Sequence, residues 1–134
     1  MLLGHFGGPY WARKDAGAWG IPKGLVEAGE SAEAAACREF GEELGAVPEG
    51  PLVPLASFRQ AGGKRVDAFA LEGDFDPLAL VSNSFEIEWP PRSGRRQAFP
   101  EVDRVAWFGL AEAEAMILPS QRPALAALAA LLAD

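Results

Sequence analysis

Three glutamates, Glu39, Glu42 and Glu43, lie close together in a stretch whose composition favours an α-helix. Spacings of three and four residues place their carboxylates on one face of that helix. Like charges at Glu39 and Glu43 cost roughly 0.2–0.5 kcal/mol, and Gly41 costs roughly a further 1 kcal/mol relative to alanine. Hard divalent cations such as Mg²⁺ are held by carboxylates, waters and substrate phosphates, so the cluster predicts a cation site. The alternative interpretation is an acidic helix face in solvent.

These glutamates belong to a longer pattern with fixed spacing between residues 24 and 46. Five residues separate a glycine from a glutamate, and seven more precede an Arg-Glu-apolar triplet, which a Glu-Glu pair and a second glycine follow. The residues at the defined positions are Gly24, Glu30, Arg38, Glu39, Phe40, Glu42, Glu43, Gly45 and Ala46. This stretch resembles the Nudix box at every defined position, although Ala46 is smaller than the usual last apolar residue.

The resemblance implies a Nudix hydrolase with an α+β fold, in which a mixed β-sheet lies between helices and the box forms a loop–helix–loop. The implied cofactor is a divalent cation, Mg²⁺ or Mn²⁺. The implied metal ligands are the carbonyl of Gly24 and the carboxylates of Glu39, Glu42 and Glu43. Glu30 and Arg38 match positions that commonly support the glutamates by pairing, without taking part in the chemistry.

Two flanking segments extend the resemblance beyond the box. Residues 19–24 look like the aromatic-x-x-Pro-Lys-Gly segment of Nudix enzymes that act on nucleoside polyphosphates. Lys23 is a candidate phosphate contact because its ammonium is a compact point charge, and the alternative is a lysine in solvent. Residues 100–108 are similar to a late Nudix segment whose glutamate often faces the metals. Glu101 is therefore a candidate fourth carboxylate or general base, and its alternative role is to cap the turn before a strand.

Further candidates for substrate binding lie outside these segments. Arg92, Arg95 and Arg96 offer guanidinium groups suited to bidentate contact with phosphates, or they belong to a solvated loop. Tyr10 and Trp11 are candidates for stacking on a nucleobase, or they are ordinary packing residues.

Length and composition limit the other classes of function. The 134 residues are expected to form one domain spanning 1–134. Twelve basic and 19 acidic residues give a net charge of −7, so neither a nucleic-acid nor a membrane partner is expected. Cys37 is the only cysteine and His5 the only histidine, which argues against a zinc cluster and a Ser-His-Asp triad. No long apolar segment or signal peptide is recognised, so a cytoplasmic protein is expected.

The elements that must position these residues can be predicted from patterns along the chain. Ser31 is a good N-cap and Gly45 a good C′ residue for the helix that carries the glutamates. Strands are predicted at 1–5, 52–59, 65–71, 85–89 and 102–108, and further helices at 110–117 and 123–132. Strands mixed with few helices in this order favour an α+β layered sandwich.

One departure from the Nudix pattern concerns the first strand. Nudix domains usually carry a strand before the segment that residues 1–5 resemble, and that strand is apparently absent. The strand at 1–5 is therefore expected at a sheet edge, covered by a loop or by a second copy of the chain in a homodimer.

The expected reaction is hydrolysis of a pyrophosphate linkage in a small nucleoside polyphosphate by a metal-activated water. A dinucleoside polyphosphate such as diadenosine tetraphosphate is the first expectation, and a normal or oxidised nucleoside triphosphate is the second. The catalytic carboxylates would be Glu39, Glu42, Glu43 and Glu101, with Glu39 either a third ligand or the base. A non-catalytic module that binds nucleotide or protein is the alternative of another class, against which the complete set of box glutamates argues.

Overall fold

The computed structural model describes residues 1–60 and 62–133, which form seven β-strands and three α-helices. The strands are β1 (Leu2–Phe6), β2 (Trp19–Gly20), β3 (Val53–Arg59), β4 (Arg65–Ala70), β5 (Ser84–Glu88), β6 (Arg96–Pro100) and β7 (Val102–Trp107). The helices are α1 (Ala32–Leu44), α2 (Leu110–Met116) and α3 (Arg122–Ala133). The predicted α+β class is confirmed.

The first strand lies in the middle of the central sheet, whose order is β2-β1-β7. Gly4 is paired with Gly20 of β2 on one side and with Val105 of β7 on the other, both antiparallel. The expectation that this strand lies at a sheet edge is therefore wrong. Because two strands from distant parts of the chain cover both edges of β1, the open edge that suggested a homodimer does not exist there.

Two antiparallel hairpins complete the described strands. β3 pairs with β4, and β5 pairs with β6. The first of these is the predicted hairpin, and Ala61 in its loop lies outside the described residues. Strand β6 was not predicted: residues 90–96 read as an exposed loop, and no strand pattern was recognised in the four residues that follow. The predicted loop is in fact the turn joining β5 to β6, except that Arg96 is the first residue of β6.

The core lies on both faces of the central sheet, as the alternation of side chains along a strand requires. Leu3 belongs to one buried cluster together with Ile117 and Leu125, on the side of α2 and α3. Leu2 packs against a second cluster that contains Leu44 of α1. Complete burial of such a leucine stabilises the fold by about 1.5–3 kcal/mol. The sheet is thus held between α1 on one face and the C-terminal helices on the other.

Helix α1 begins and ends where its capping residues predict. Ser31 Oγ accepts a hydrogen bond from the backbone N–H of Ala34 at 3.1 Å. Gly45 has φ 83° and donates its N–H to Gly41, which closes the last turn. A side chain at residue 45 would also meet the backbone of Val81. Glycine is therefore required at the C-terminal end for both its conformation and its size.

The segment after α2 fixes the short strand β2, which leads directly into the box. Trp19 forms a parallel bridge with Ile117, and the carbonyl of Trp19 accepts a hydrogen bond from the N–H of Leu118 at 2.7 Å. The buried side chain of Gln121 accepts a hydrogen bond from the N–H of Ile21 at 2.9 Å. Within residues 1–60 and 62–133, no helix is long and apolar enough to cross a membrane.

Candidate active site

A cavity of about 150 Å³ lies where the central sheet meets the N-terminal end of the box. Carboxylates enter it from two parts of the chain: Glu43 from α1, and Glu101 from the junction of β6 and β7. Lys23 also lines the cavity, on the segment that β2 aims at the box. The residues around this cavity are Gly4, Phe6, Gly20, Ile21, Pro22, Lys23, Glu43, Glu101 and Val102.

Glu43 is the best-defined carboxylate of the cavity. Its Oε2 accepts a hydrogen bond of 2.8 Å from the backbone N–H of Lys23. The pKa of Glu43 is raised to about 7, chiefly by burial and also by the negative charges of Glu39 and Glu101, against the lowering effect of that hydrogen bond. Glu43 is therefore close enough to be repelled both by Glu39, on the same helix, and by Glu101, from a distant segment, and a cation among them would relieve that repulsion.

Gly24 lies directly against the carboxyl group of Glu39. A Cβ atom built on Gly24 would overlap all three carboxyl atoms of that side chain. Only glycine lets the backbone of residue 24 approach a helix carboxylate so closely, and this places a peptide group beside an acidic oxygen pair. Such a pairing of backbone and carboxylate oxygens suits a hard divalent cation.

Arg38 connects acidic side chains of α1 with that of Glu30 in the loop before the helix. Its Nε and Nη2 atoms donate to the two carboxylate oxygens of Glu30 at 2.9 and 3.1 Å, a bidentate pair. Nη1 donates to Glu39 at 2.7 Å and lies 3.4 Å from Glu42, while Nη2 also donates to the carbonyl of Leu25. The bonds to Glu30 and Glu39 raise the pKa of Arg38, and the bond from Arg38 lowers the pKa of Glu30.

The structure divides the three box glutamates, which sequence spacing alone places together. Glu39 and Glu42 contact Arg38, whereas Glu43 contacts the backbone of Lys23 and lines the cavity. Over the part of the chain that the structure describes, no three acidic, histidine or cysteine side chains converge into a ready-made metal site. The donor set still fits a divalent cation, since it consists of oxygen atoms and the backbone of Gly24 lies against the carboxyl group of Glu39. Glu42, with 44% of its side chain exposed, is the freest of the three to turn.

The arginines predicted to bind phosphate lie away from the cavity. Arg92 and Arg95 are exposed in the turn between β5 and β6. Arg96 is exposed as well and forms a salt bridge of 3.7 Å with Glu86 across the hairpin. Of the predicted phosphate contacts, the structure therefore places Lys23 at the cavity and the arginines at the far end of a hairpin.

The two aromatic residues predicted to stack on a base do not act as one surface. Trp11 is partly buried against Phe6, with ring centroids 4.9 Å apart, and Lys14 lies over its ring. Tyr10 is 62% exposed and instead contacts Trp89, at the end of β5, with ring centroids 5.3 Å apart. The contact between Tyr10 and Trp89 was missed, because nothing local in the sequence links residues 79 positions apart.

His5 is completely buried and does not reach the cavity. Its Nδ1 lies 2.9 Å from Asp103 Oδ1, and its Nε2 lies 2.7 Å from the carbonyl oxygen of Lys14. These contacts tie β1 to β7 and to the loop before β2.

Comparison with known proteins identifies the class. The family profile described as NUDIX domain matches residues 4–128. The chain therefore belongs to the NUDIX family, as its box predicted. Nudix hydrolases generally use divalent metals, in keeping with the oxygen-rich site.

One curated protein of the family is similar to part of this chain. An RNA pyrophosphohydrolase of Shewanella loihica (strain ATCC BAA-1088 / PV-4) is 37% identical over 81 residues, which make up 60% of this chain and 46% of the relative. The matched segment thus spans about half the length of that relative. No solved structure matches the chain significantly. The relative's name includes RNA, which does not fit the expectation that nucleic acid is excluded as a partner.

Proposed function

We propose that this protein hydrolyses a pyrophosphate linkage in a nucleoside polyphosphate, with Mg²⁺ or Mn²⁺ as its cofactor. The observation that carries the proposal is the convergence of Glu43, Glu101 and Lys23 on one cavity beside the contact between Gly24 and Glu39. Acidic and basic groups that face the same small space suit a cation together with an anionic substrate.

The residues proposed to hold the cation are Gly24, Glu39, Glu42 and Glu43. A divalent cation held there would lower the pKa of water and would neutralise the charge that builds on phosphate oxygens. Arg38 and Glu30 hold the helix carboxylates in place through the bidentate pair and the bond to Glu39.

Glu101 is the proposed general base. Its carboxylate lines the cavity together with Glu43 and comes from a different segment of the chain, so it can face the substrate from another side. It would accept the proton that the attacking water loses. Glu39 is the alternative base, and its bond to Arg38 makes it the less available of the two.

Lys23 is the proposed contact for the phosphate at which hydrolysis occurs, because it lies on the cavity wall beside Glu43. The arginines of the β5–β6 turn would contact more distant phosphates. Positively charged side chains at two separate places suit a substrate with at least three consecutive phosphates better than a substrate with one pyrophosphate next to a sugar.

Three substrates are consistent with this arrangement. A dinucleoside polyphosphate such as diadenosine tetraphosphate is the first, and a normal or oxidised nucleoside triphosphate is the second. The triphosphorylated 5′ end of an RNA is the third, and the name of the S. loihica relative favours it. All three present consecutive phosphates attached to a nucleoside.

The decisive experiment measures product release from diadenosine tetraphosphate, ATP, 5′-triphosphorylated RNA and ADP-ribose, with Mg²⁺, with Mn²⁺ and with excess chelator. We expect hydrolysis only with metal, and lower kcat/KM for ADP-ribose than for the longer polyphosphates. Glu42→Gln and Glu43→Gln should each lose activity by orders of magnitude while remaining folded. Glu33→Gln is the matched control, because Glu33 lies in the first turn of the same helix.

Full activity of Glu43→Gln, or full activity in chelator, would overturn the metal site. A preference for ADP-ribose that Lys23→Ala does not change would overturn the substrate class alone. Nucleotide binding without hydrolysis of any compound would favour the non-catalytic module.

A further inference from the structure

The loop after β1 connects the cavity to the aromatic contact between Tyr10 and Trp89. The N–H of Gly7 donates to the carbonyl of Glu101 at 2.9 Å, so the loop begins at the cavity wall. Three residues span at most about 11 Å, and this bounds the distance from Gly7 to Tyr10 along the backbone. The backbone of Tyr10 therefore lies within the reach of a polyphosphate chain that starts at Glu101.

Two glycines press this loop against the β5–β6 hairpin. A Cβ atom on Gly7 would overlap the carbonyl of Pro100, and one on Gly8 would come within 2.8 Å of the ring of Phe85. Gly8 also has φ 96°, a conformation that side chains disfavour. The loop and the hairpin are thus packed closely side by side, and this packing sets the position of Tyr10 against Trp89.

Trp89 is fixed at the end of β5 by its backbone. Its N–H donates to the carbonyl of Arg95 at 2.9 Å, and its carbonyl accepts a hydrogen bond from the side chain of Gln97 at 3.0 Å. Its indole meets the ring of Tyr10 edge to face, at 79° between the ring planes. Because Tyr10 is 62% exposed, this contact leaves aromatic surface open to solvent next to a turn that carries Arg92 and Arg95.

We propose that Tyr10 and Trp89 form the surface on which the nucleobase of the substrate stacks, so that Trp89, rather than Trp11, is the partner of Tyr10. The inference rests on the proposed function and specifies its substrate site: phosphates extend from the carboxylate cavity along the loop, and the base lies at the end of the hairpin. Since every base presents a π-face, stacking of this kind discriminates weakly between adenine and guanine.

The test distinguishes the contribution of the base to binding from that of the phosphates, by comparing two ligands in the presence of Mg²⁺. One is a methylene-bridged ATP analogue, and the other is inorganic tripolyphosphate, which has no base. Binding is measured by calorimetry for the wild type and for Trp89→Leu, Tyr10→Leu and Trp89→Phe. Trp107→Leu is the matched control, because Trp107 is 46% exposed and lies on β7, with its indole bonded to the carbonyl of Phe75.

Loss of one stacking partner should raise the dissociation constant by a factor of roughly 5 to 140. We expect Trp89→Leu and Tyr10→Leu to weaken the binding of the ATP analogue by a factor in this range and to leave the affinity for tripolyphosphate unchanged. Trp89→Phe should restore most of the affinity, and the control should bind both ligands like the wild type. The GTP and ATP analogues should bind with similar affinity.

Fluorescence gives a second readout that does not depend on hydrolysis. Quenching of tryptophan emission by the ATP analogue should shrink in Trp89→Phe although calorimetry still detects binding. Unchanged quenching in Trp89→Phe, or unchanged affinity in Tyr10→Leu, would overturn the stacking surface even if Trp89→Leu does not fold. A wild-type protein that hydrolyses none of the polyphosphates would overturn the proposed function instead, whatever these variants bind.

Discussion

Arg38 holds several acidic side chains of the box through ion pairs. It contacts carboxylates from the loop before α1 and from α1 itself, notably those of Glu30 and Glu39. Its side chain is 25% exposed and that of Glu30 is 16% exposed. Water therefore reaches this pair poorly, and removal of one partner leaves a charge that is only partly solvated.

Replacement of Arg38 should consequently cost more stability than replacement of a proposed metal ligand. We expect Arg38→Ala to lower the melting temperature more than Glu42→Gln does, because it leaves Glu30 and Glu39 without their charged donor. Glu42→Gln should change the free energy of unfolding by less than about 0.5 kcal/mol, or raise it, since it eases repulsion at an exposed position. Thermal unfolding of both variants without metal checks this order, and equal melting temperatures would refute the role of Arg38.

The pH dependence of stability should report the same pair. The hydrogen bond from Arg38 lowers the pKa of Glu30 below its ordinary value of 4.5 in the folded protein. The folded state then binds fewer protons than the unfolded state, so the pair stabilises the fold above pH 4.5 and loses this effect as the pH falls through the lowered pKa. Glu30→Gln should be less stable than the wild type at pH 7, and the difference should narrow below pH 4.5. A difference that stays constant from pH 7 to pH 3 would contradict this ion pair.

At the scale of elements, α1 and the loop before it act as a unit. The helix, its N-cap at Ser31 and its end at Gly45 could all be predicted, because each depends on residues close together in the sequence. The close approach of Gly24 to Glu39 could not be derived from local pattern, since it depends on how the loop folds back onto the helix. The Nudix resemblance pointed to Gly24 without giving its geometry.

Two glycine-to-alanine changes separate these effects. Gly24→Ala should reduce kcat/KM by orders of magnitude, because the new Cβ displaces the carboxyl group of Glu39. Gly41→Ala lies within α1, where a Cβ would meet only the carbonyl of Ala46 at 3.8 Å. It should keep its activity and gain up to about 1 kcal/mol in the free energy of unfolding. The pair is compared by steady-state kinetics and thermal unfolding, and an active Gly24→Ala would show that the approach is not needed.

For the whole molecule, the net charge of −7 has a direct consequence for metal binding. Carboxylates that repel one another in the metal-free protein should bind a cation that the unfolded chain binds weakly. Mg²⁺ should then raise the melting temperature by mass action, with a stabilisation of about 2.7 kcal/mol at one hundred times the dissociation constant. Calorimetric scans across a Mg²⁺ series test this expectation. The melting temperature of Glu33→Gln should rise with Mg²⁺ as that of the wild type does, and that of Glu43→Gln should not. An equal rise in both variants would show that the cation does not bind at the cavity.

The sequence by itself determined the family, the fold class and most helices and strands. The box is recognised by residues at fixed spacings along the chain, and periodicity over a few residues is enough to define a helix or a strand. The Nudix resemblance also implied that Glu30 and Arg38 support the box glutamates by pairing. Strand β6 was lost because prolines and arginines before it are typical of a loop, whereas its pairing with β5 makes it a strand.

Only the tertiary structure decided which distant residues meet. It placed β1 in the middle of the sheet, because β2 and β7 pair with its two edges. It brought Glu101 to the same cavity as Glu43, and it set Tyr10 against Trp89 while Trp11 turned toward the core. Contacts of this kind join residues separated by tens of positions and depend on how sheets and loops pack. Local pattern carries no information about them, and for this reason the box and its helix could be predicted from the sequence while the contact between Tyr10 and Trp89 could not.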